Sequence, residues 1–272
     1  MASTLPSLTS PSAAAFPRAG RLGAGLGIAV LLVLSWAYLL YMVWGMENMA
    51  EVADSLLMPA MVDWSGADLV LVFVMWAIMM AAMMLPSAVP MLMLFGRVSA
   101  ARAKGTRPEL AVGILALGYL AMWAGFSVIA TLAQWGLLEV RLVSPMMSSA
   151  SPALSAALLA AAGAYQFTPL KNACLARCRS PLSVLLNDWR EGLAGAFSMG
   201  LRQGAYCTGC CWLLMALLFV FGVMNLVWIV ALTVFVLVEK LLGGPKWFAP
   251  ATGAALLAWA AGIAYQAANL PG

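Results

Sequence analysis

Residues 69–86 read LVLVFVMWAIMMAAMMLP, an apolar run without a charged side chain. The run continues to Phe95, so it reaches the ~20 residues that a helix needs to cross a bilayer. Pro86 and Pro90 interrupt its second half, where we expect missing backbone hydrogen bonds to open the helix. The segment therefore predicts a transmembrane helix.

The composition extends this prediction to the whole chain. Of its 272 residues, 64% are hydrophobic and only 9% are charged, whereas soluble domains carry about 25% charged residues. We predict an all-α, polytopic bundle of transmembrane helices with six or seven spans. The N-terminal residues 1–21 are predicted to be disordered and cytoplasmic, and residues 22–268 to form a single transmembrane domain. The predicted spans are about 22–44, 69–95, 110–138, 153–170, 205–222, 224–238 and 247–268.

One apolar stretch before the fifth span has two interpretations. Residues 192–204 follow a helical pattern but include charged and glycine residues. They are either a re-entrant or interfacial piece, or the first half of one long tilted helix.

Charge placement predicts the orientation. Of the 14 Lys and Arg residues, all except Arg141 fall on the same side of the predicted spans. Because basic loops stay in the cytoplasm, the N-terminus is predicted to be inside, and we expect a multi-pass protein of the cell membrane. The predicted partners are the lipid bilayer, a metal ion, and a membrane protein or a second copy of the chain. No strip of interleaved basic and aromatic residues is present, so nucleic acid is not an expected partner.

The residue types that are missing exclude several chemistries. The chain has no histidine, which excludes imidazole-bound zinc, histidine-ligated haem and histidine base catalysis. It also lacks a phosphate-binding Gly-Lys-Ser/Thr loop. The sequence therefore favours a binding or transport role over an enzyme.

Three cysteines fall within five residues at the predicted start of the fifth span, in GAYCTGCCW (residues 204–212). On a helix, Cys207 and Cys211 share a face, Met215 extends that face by one turn, and Cys210 lies beside it. Thiolates and thioethers are soft ligands that suit Cu(I). The pattern therefore predicts a soft-metal site, with copper as the expected ion.

Two further cysteines lie before this span. Cys174 and Cys178 are four residues apart, on the same predicted side of the membrane. The reducing cytoplasm favours free thiols there over a disulfide. They are candidate ligands, although small thiols also suit helix packing.

Methionine is the second population of soft ligands, with 19 residues. In the second span, Met75, Met79 and Met83 form one helical stripe, and Met80 and Met84 form a parallel one. The stripes either pack the bundle or continue with Met215, Cys211 and Cys207 as a sulfur path across the membrane. External loops contain further methionines: Met46, Met49, Met58, Met61, Met146 and Met147.

Three functions remain open on the residues alone. The first is transport of Cu(I), or its delivery to a membrane partner. The second is a thiol- or quinone-linked membrane oxidoreductase that uses Cys207, Cys210 and Cys211. The third is an assembly or scaffold subunit whose thiols are incidental.

Five motifs carry a resemblance to a known family: Trp189-Arg190-Glu191-Gly192, Tyr206-Cys207-x-x-Cys210-Cys211-Trp212, Glu239-Lys240, the run Met79 to Ser87, and Cys174-x-x-x-Cys178. Together they resemble a bacterial family of uncharacterised integral membrane proteins that are predicted to bind metal. The likeness covers about residues 70–240, and the cysteine block is its most specific part. The resemblance implies a histidine before this block in many members, where this chain has Gln203. If that histidine is a ligand elsewhere, this chain must bind metal through sulfur alone.

Overall fold

The computed structural model describes residues 18–48, 64–102, 107–144, 149–180, 189–241 and 247–269. Within these ranges the chain is helical, and the only β-pairing described is an isolated bridge between Val143 and Ser149. The prediction of an all-α helical bundle is confirmed. The helices are α1 (Arg18–Glu47), α2 (Gly66–Arg102), α3 (Pro108–Glu139), α4 (Pro152–Tyr165), α5 (Pro169–Arg179), α6 (Gly192–Ala216), α7 (Leu218–Phe221), α8 (Leu226–Leu241) and α9 (Phe248–Asn269).

Several helices are compatible with a multi-pass membrane protein. Among the described residues, five apolar segments are long enough to cross a bilayer, and the bent pair α4–α5 makes a sixth if it counts as one span. Helix α8, at the predicted span 224–238, has 16 residues. At 1.5 Å per residue it is about 24 Å long, shorter than a hydrocarbon core of about 30 Å.

The predicted span at 153–170 is divided in two. Helices α4 and α5 meet at a bend of 64°. The sequence causes the break, because Pro169 disfavours helical geometry at the residue before it. Thr168 then caps α5, with its side-chain oxygen accepting from the backbone N–H of Lys171.

The stretch 192–204 is the first half of a long helix. Helix α6 begins at Gly192, and together with α7 it forms a 30-residue apolar segment that ends at Phe221. Cys207 therefore lies near the middle of this segment and not at its start, where the sequence placed it. The first turns contain polar and glycine residues, which made the sequence pattern ambiguous. Packing against α3 stabilises these turns.

Glycines bring α6 unusually close to α3. A Cβ atom at Gly118 of α3 would collide with the backbone of Phe197, and one at Gly200 of α6 would collide with the carbonyl of Leu115. A Cβ at Gly204 would lie 2.6 Å from Cβ of Met122. We call this contact the α3–α6 seam. It holds Tyr119, on α3, against the cysteine-bearing part of α6.

Helix α2 is continuous through Pro86 and Pro90, over 37 residues. The expected opening does not break the helix, but the carbonyl of Met84 accepts hydrogen bonds from Ser87 Oγ at 2.8 Å and from Tyr119 Oη at 3.2 Å. Pro86 and Pro90 leave the carbonyls of Ala82 and Pro86 without their helical N–H donors, and these two side-chain bonds reach the helical turn between them.

Both methionine stripes of α2 face the protein interior. All five side chains are fully buried: Met75, Met79, Met80, Met83 and Met84. None of these side chains is available for contact with lipid. Their burial is compatible both with packing of the bundle and with a role as ligands.

Some predictions lie outside the described residues. These are the disorder of residues 1–17 and the external methionines Met49, Met58, Met61, Met146 and Met147. Arg18 to Arg21, predicted as part of the disordered N-terminus, belong to α1.

Candidate metal centre

Cys207 lies at the centre of the site. It is 2% exposed, and its Sγ atom is 2.9 Å from the hydroxyl of Tyr119 and 2.8 Å from Nζ of Lys240. These partners come from three helices, since Cys207 is on α6, Tyr119 on α3 and Lys240 at the end of α8. An ammonium group at this distance can neutralise the negative charge of a thiolate.

Cys211 adds a second sulfur on the same face of α6. Its Sγ atom is 4.0 Å from Sδ of Met84 on α2, and Nζ of Lys240 also lies 4.0 Å away. In addition the thiol donates to the carbonyl of Cys207, one turn earlier, at 3.0 Å. Cys211 therefore connects the cysteine face of α6 to the methionine stripe formed by Met80 and Met84.

Cys210 points to a different neighbour. Its thiol also donates to the carbonyl of Cys207, at 3.0 Å, and Cys178 on α5 is a neighbouring thiol. Cys174, one turn before Cys178, lies near Gly209, where a Cβ atom would be 2.9 Å from its sulfur. The fold thus brings all five cysteines to the region where α5 packs on α6.

The predicted ligand set is assembled only in part. Among the described residues, no group of three Cys, Asp or Glu side chains is arranged to hold a metal ion. Cys207 and Cys211 share a face, whereas Cys210 faces α5. Met215 is fully buried one turn beyond Cys211. The three-cysteine ligand set and the role of Met215 stay predictions, and the sulfur that reaches Cys211 from α2 is Met84.

A buried ion pair supports the site from α5 and α8. Nζ of Lys171 lies 2.7 Å from Oε1 of Glu239, and both side chains are fully buried. Lys171 also donates to the side-chain oxygen of Gln166, and Nε of Arg179 donates to the backbone carbonyl of Glu239 at 2.9 Å. Apart from Lys171, the carboxylate has no partner among the described residues.

A cavity of about 180 Å³ opens beside Cys207. Its wall combines polar, basic and sulfur-bearing side chains from α2, α3, α5, α6 and α8, including Met91, Tyr119, Cys178, Arg179, Gln203 and Lys240. Gln203 is 5% exposed and lies one turn before Cys207, and its Oε1 atom has no partner among the described residues. The residue at the position where the resemblance implied a histidine therefore faces the space next to the cysteine.

A family model for copper chaperones, PpoB2, matches residues 73–263. The chain belongs to this family. The matched range contains both methionine stripes, all five cysteines and the buried lysines. No curated protein and no solved structure matches the chain.

Membership in a copper-chaperone family supports copper as the expected ion. The resemblance found in the sequence implied only a metal, and the family supports a copper-related function. The Tyr-Cys-x-x-Cys-Cys-Trp block as a family signature, and a bacterial origin, stay predictions.

Sequence reasoning gave no functional role to the charged residues of this candidate site. Lys171 and Lys240 were counted as basic residues of cytoplasmic loops, but they are 0% and 6% exposed. Tyr119 was not singled out. Glu239 and Lys240 were quoted only as a motif of the family resemblance, although an acidic and a basic residue adjoin at the end of a strongly apolar helix, where ionisable side chains are expensive and usually functional.

Proposed function

We propose that the chain is an integral membrane protein that binds Cu(I) through Cys207, Cys211 and Met84 and delivers it to a membrane partner. The observation that carries the proposal is the spacing of sulfur atoms from two helices, 4.0 Å between Cys211 and Met84. Metal–sulfur bonds of about 2.3 Å in a trigonal arrangement place the sulfurs about 4 Å apart. The two atoms therefore have the separation of ligands that share one ion.

The donor types favour Cu(I). Cys207 and Cys211 offer thiols and Met84 offers a thioether, and such soft sulfur ligands select Cu(I) over Mg²⁺ or Ca²⁺. The nearby carboxylate of Glu239 is paired with Lys171, so it does not add a hard oxygen ligand. All three sulfur-bearing residues are buried, so a bound ion is reached only from the cavity beside Cys207.

Delivery is supported by the sulfur atoms on both sides of this centre. The buried stripes of α2 extend away from Met84 towards Met75, and Cys178 lines the same cavity as Cys207. Thioethers and thiols at successive helical turns, about 5.4 Å apart, allow an ion to change ligands with modest side-chain motion. The partner that receives the ion is a membrane protein or a second copy of this chain.

One observation favours the alternative of a thiol oxidoreductase. Cys178 on α5 and Cys210 on α6 are neighbouring thiols, and a redox-active pair requires two such thiols. This alternative requires thiol oxidation and reduction during activity, with a quinone or another thiol as the acceptor. Replacing Cys178 by Ser removes the redox pair but none of the proposed copper ligands. Copper binding that survives this replacement, together with loss of thiol oxidation and reduction, would assign the two functions to different thiols.

The test is the copper content of purified protein loaded with Cu(I) under reducing conditions. Cys207→Ser with Cys211→Ser should abolish binding, because both same-face thiolates are lost. Met84→Leu should weaken binding, whereas Met83→Leu, an equally buried neighbour on the other stripe, should not. Undiminished copper in the double cysteine variant would refute the proposal.

A further inference from the structure

Lys240 has an unusual counterion. Its side chain is 6% exposed, and Nζ lies 2.8 Å from Sγ of Cys207 and 4.0 Å from Sγ of Cys211. The adjacent residue, Glu239, directs its carboxylate to Lys171 instead. A buried ammonium group requires a nearby negative charge or good hydrogen-bond acceptors. Here sulfur atoms of the candidate metal centre fill that role.

We propose that Lys240 makes this centre selective for monovalent soft ions over divalent ones. The inference rests on the proposed function, since it concerns the same ligands. Two thiolates and a monovalent ion carry a net charge of −1, which the ammonium of Lys240 neutralises. The same ligands with a divalent ion are neutral, so the lysine adds an unbalanced positive charge in a buried place. Low-dielectric surroundings make that imbalance unfavourable.

The other charged groups around the centre do not cancel this effect. Lys171 and Glu239 form a pair with no net charge. Arg179, on the cavity wall, adds a further positive charge. Tyr119 and Gln203 are neutral. The environment therefore carries an excess of positive charge, which favours an anionic metal–thiolate unit.

Binding is balanced in atoms and charge. Each cysteine binds as a thiolate, and a thiol proton that it carries is released to solvent when its sulfur bonds to the ion. The thioether of Met84 binds without losing a proton. No electrons are transferred.

The experiment compares Ag(I) with Cd(II). Both ions are soft and redox-silent, and they have the same number of electrons, so charge is the main difference between them. Purified wild-type protein is loaded with Ag(I) and titrated with Cd(II), and both metals are quantified in the protein fraction. The variant Lys240→Gln removes the positive charge without adding a sulfur, and Lys240→Arg retains it. Arg177→Gln is the matched control, because it removes a positive charge from an exposed residue that does not line the cavity.

Wild type, Lys240→Arg and Arg177→Gln should retain Ag(I). Lys240→Gln should shift the Ag(I)-to-Cd(II) preference towards Cd(II) by at least about tenfold, equivalent to ~1.4 kcal/mol. An unchanged preference in Lys240→Gln would overturn the inference, and so would an equal loss of both ions, since that would indicate a structural role. Wild-type protein that binds neither Cu(I) nor Ag(I) would instead refute the proposed function.

Discussion

Replacing Glu239 with Gln should leave the positive charge of Lys171 without its counterion. The two groups are 2.7 Å apart and fully buried, and the other described partner of Lys171, Gln166, is neutral. Removing one partner of a buried ion pair costs about 3–5 kcal/mol, because the remaining charge is left uncompensated. The backbone carbonyl of residue 239, which accepts from Arg179, is unaffected by the substitution. We therefore expect Glu239→Gln to lower the free energy of unfolding by about 3–5 kcal/mol.

A double-mutant cycle isolates the ion pair. Lys171→Met with Glu239→Gln removes both charges, and replacing a whole buried pair by neutral groups is often nearly neutral for stability. The double variant should therefore be more stable than Glu239→Gln alone. Denaturant unfolding in a single detergent, followed by circular dichroism, compares wild type, Glu239→Gln, Lys171→Met and the double variant under the same conditions. Wild-type stability in Glu239→Gln, or a double variant that is less stable than Glu239→Gln, would refute the reasoning.

Three further predictions concern packing, ion movement and orientation. Gly200→Ala should destabilise the protein by about 1–3 kcal/mol in the same unfolding assay, because its Cβ would collide with the backbone of α3, while Gly113→Ala, which meets open space, should not. Met79→Leu with Met83→Leu should keep the fold and the equilibrium copper content but slow the transfer of Cu(I) to an external chelator, and unchanged kinetics would exclude these stripes from the path. A topology reporter fused at Arg179 should read as cytoplasmic, and an external reading would contradict the predicted orientation.

The helical part of the fold was readable from the sequence because it depends on local composition. Apolar runs of bilayer length indicate helices wherever they occur, and the spacing of Met80 and Met84 places both on one face. The same argument placed Cys207 and Cys211 together. Such periodicity shows which residues share a face, but not which helix that face contacts.

The remainder of the site depends on contacts between distant segments. Lys240 lies 33 residues after Cys207, and Tyr119 lies 88 residues before it. A count of basic residues on each side of the membrane does not distinguish an exposed lysine from a buried one. The start of α6 was left open between two interpretations for a related reason, because its glycines are unfavourable in an isolated helix and become favourable only through close contact with α3.

The α3–α6 seam also restricts how an ion could reach the proposed ligands. The two backbones meet directly at Gly118, Gly200 and Gly204, so no side-chain rotation can open a passage there. The open side of the centre is the cavity, and its lining includes residues of α5 and the end of α8. Helix α5 is short and follows a 64° bend. Changes to this bend should therefore alter the rate at which the centre fills and empties, while the strength of binding stays set by the sulfur atoms of α2 and α6.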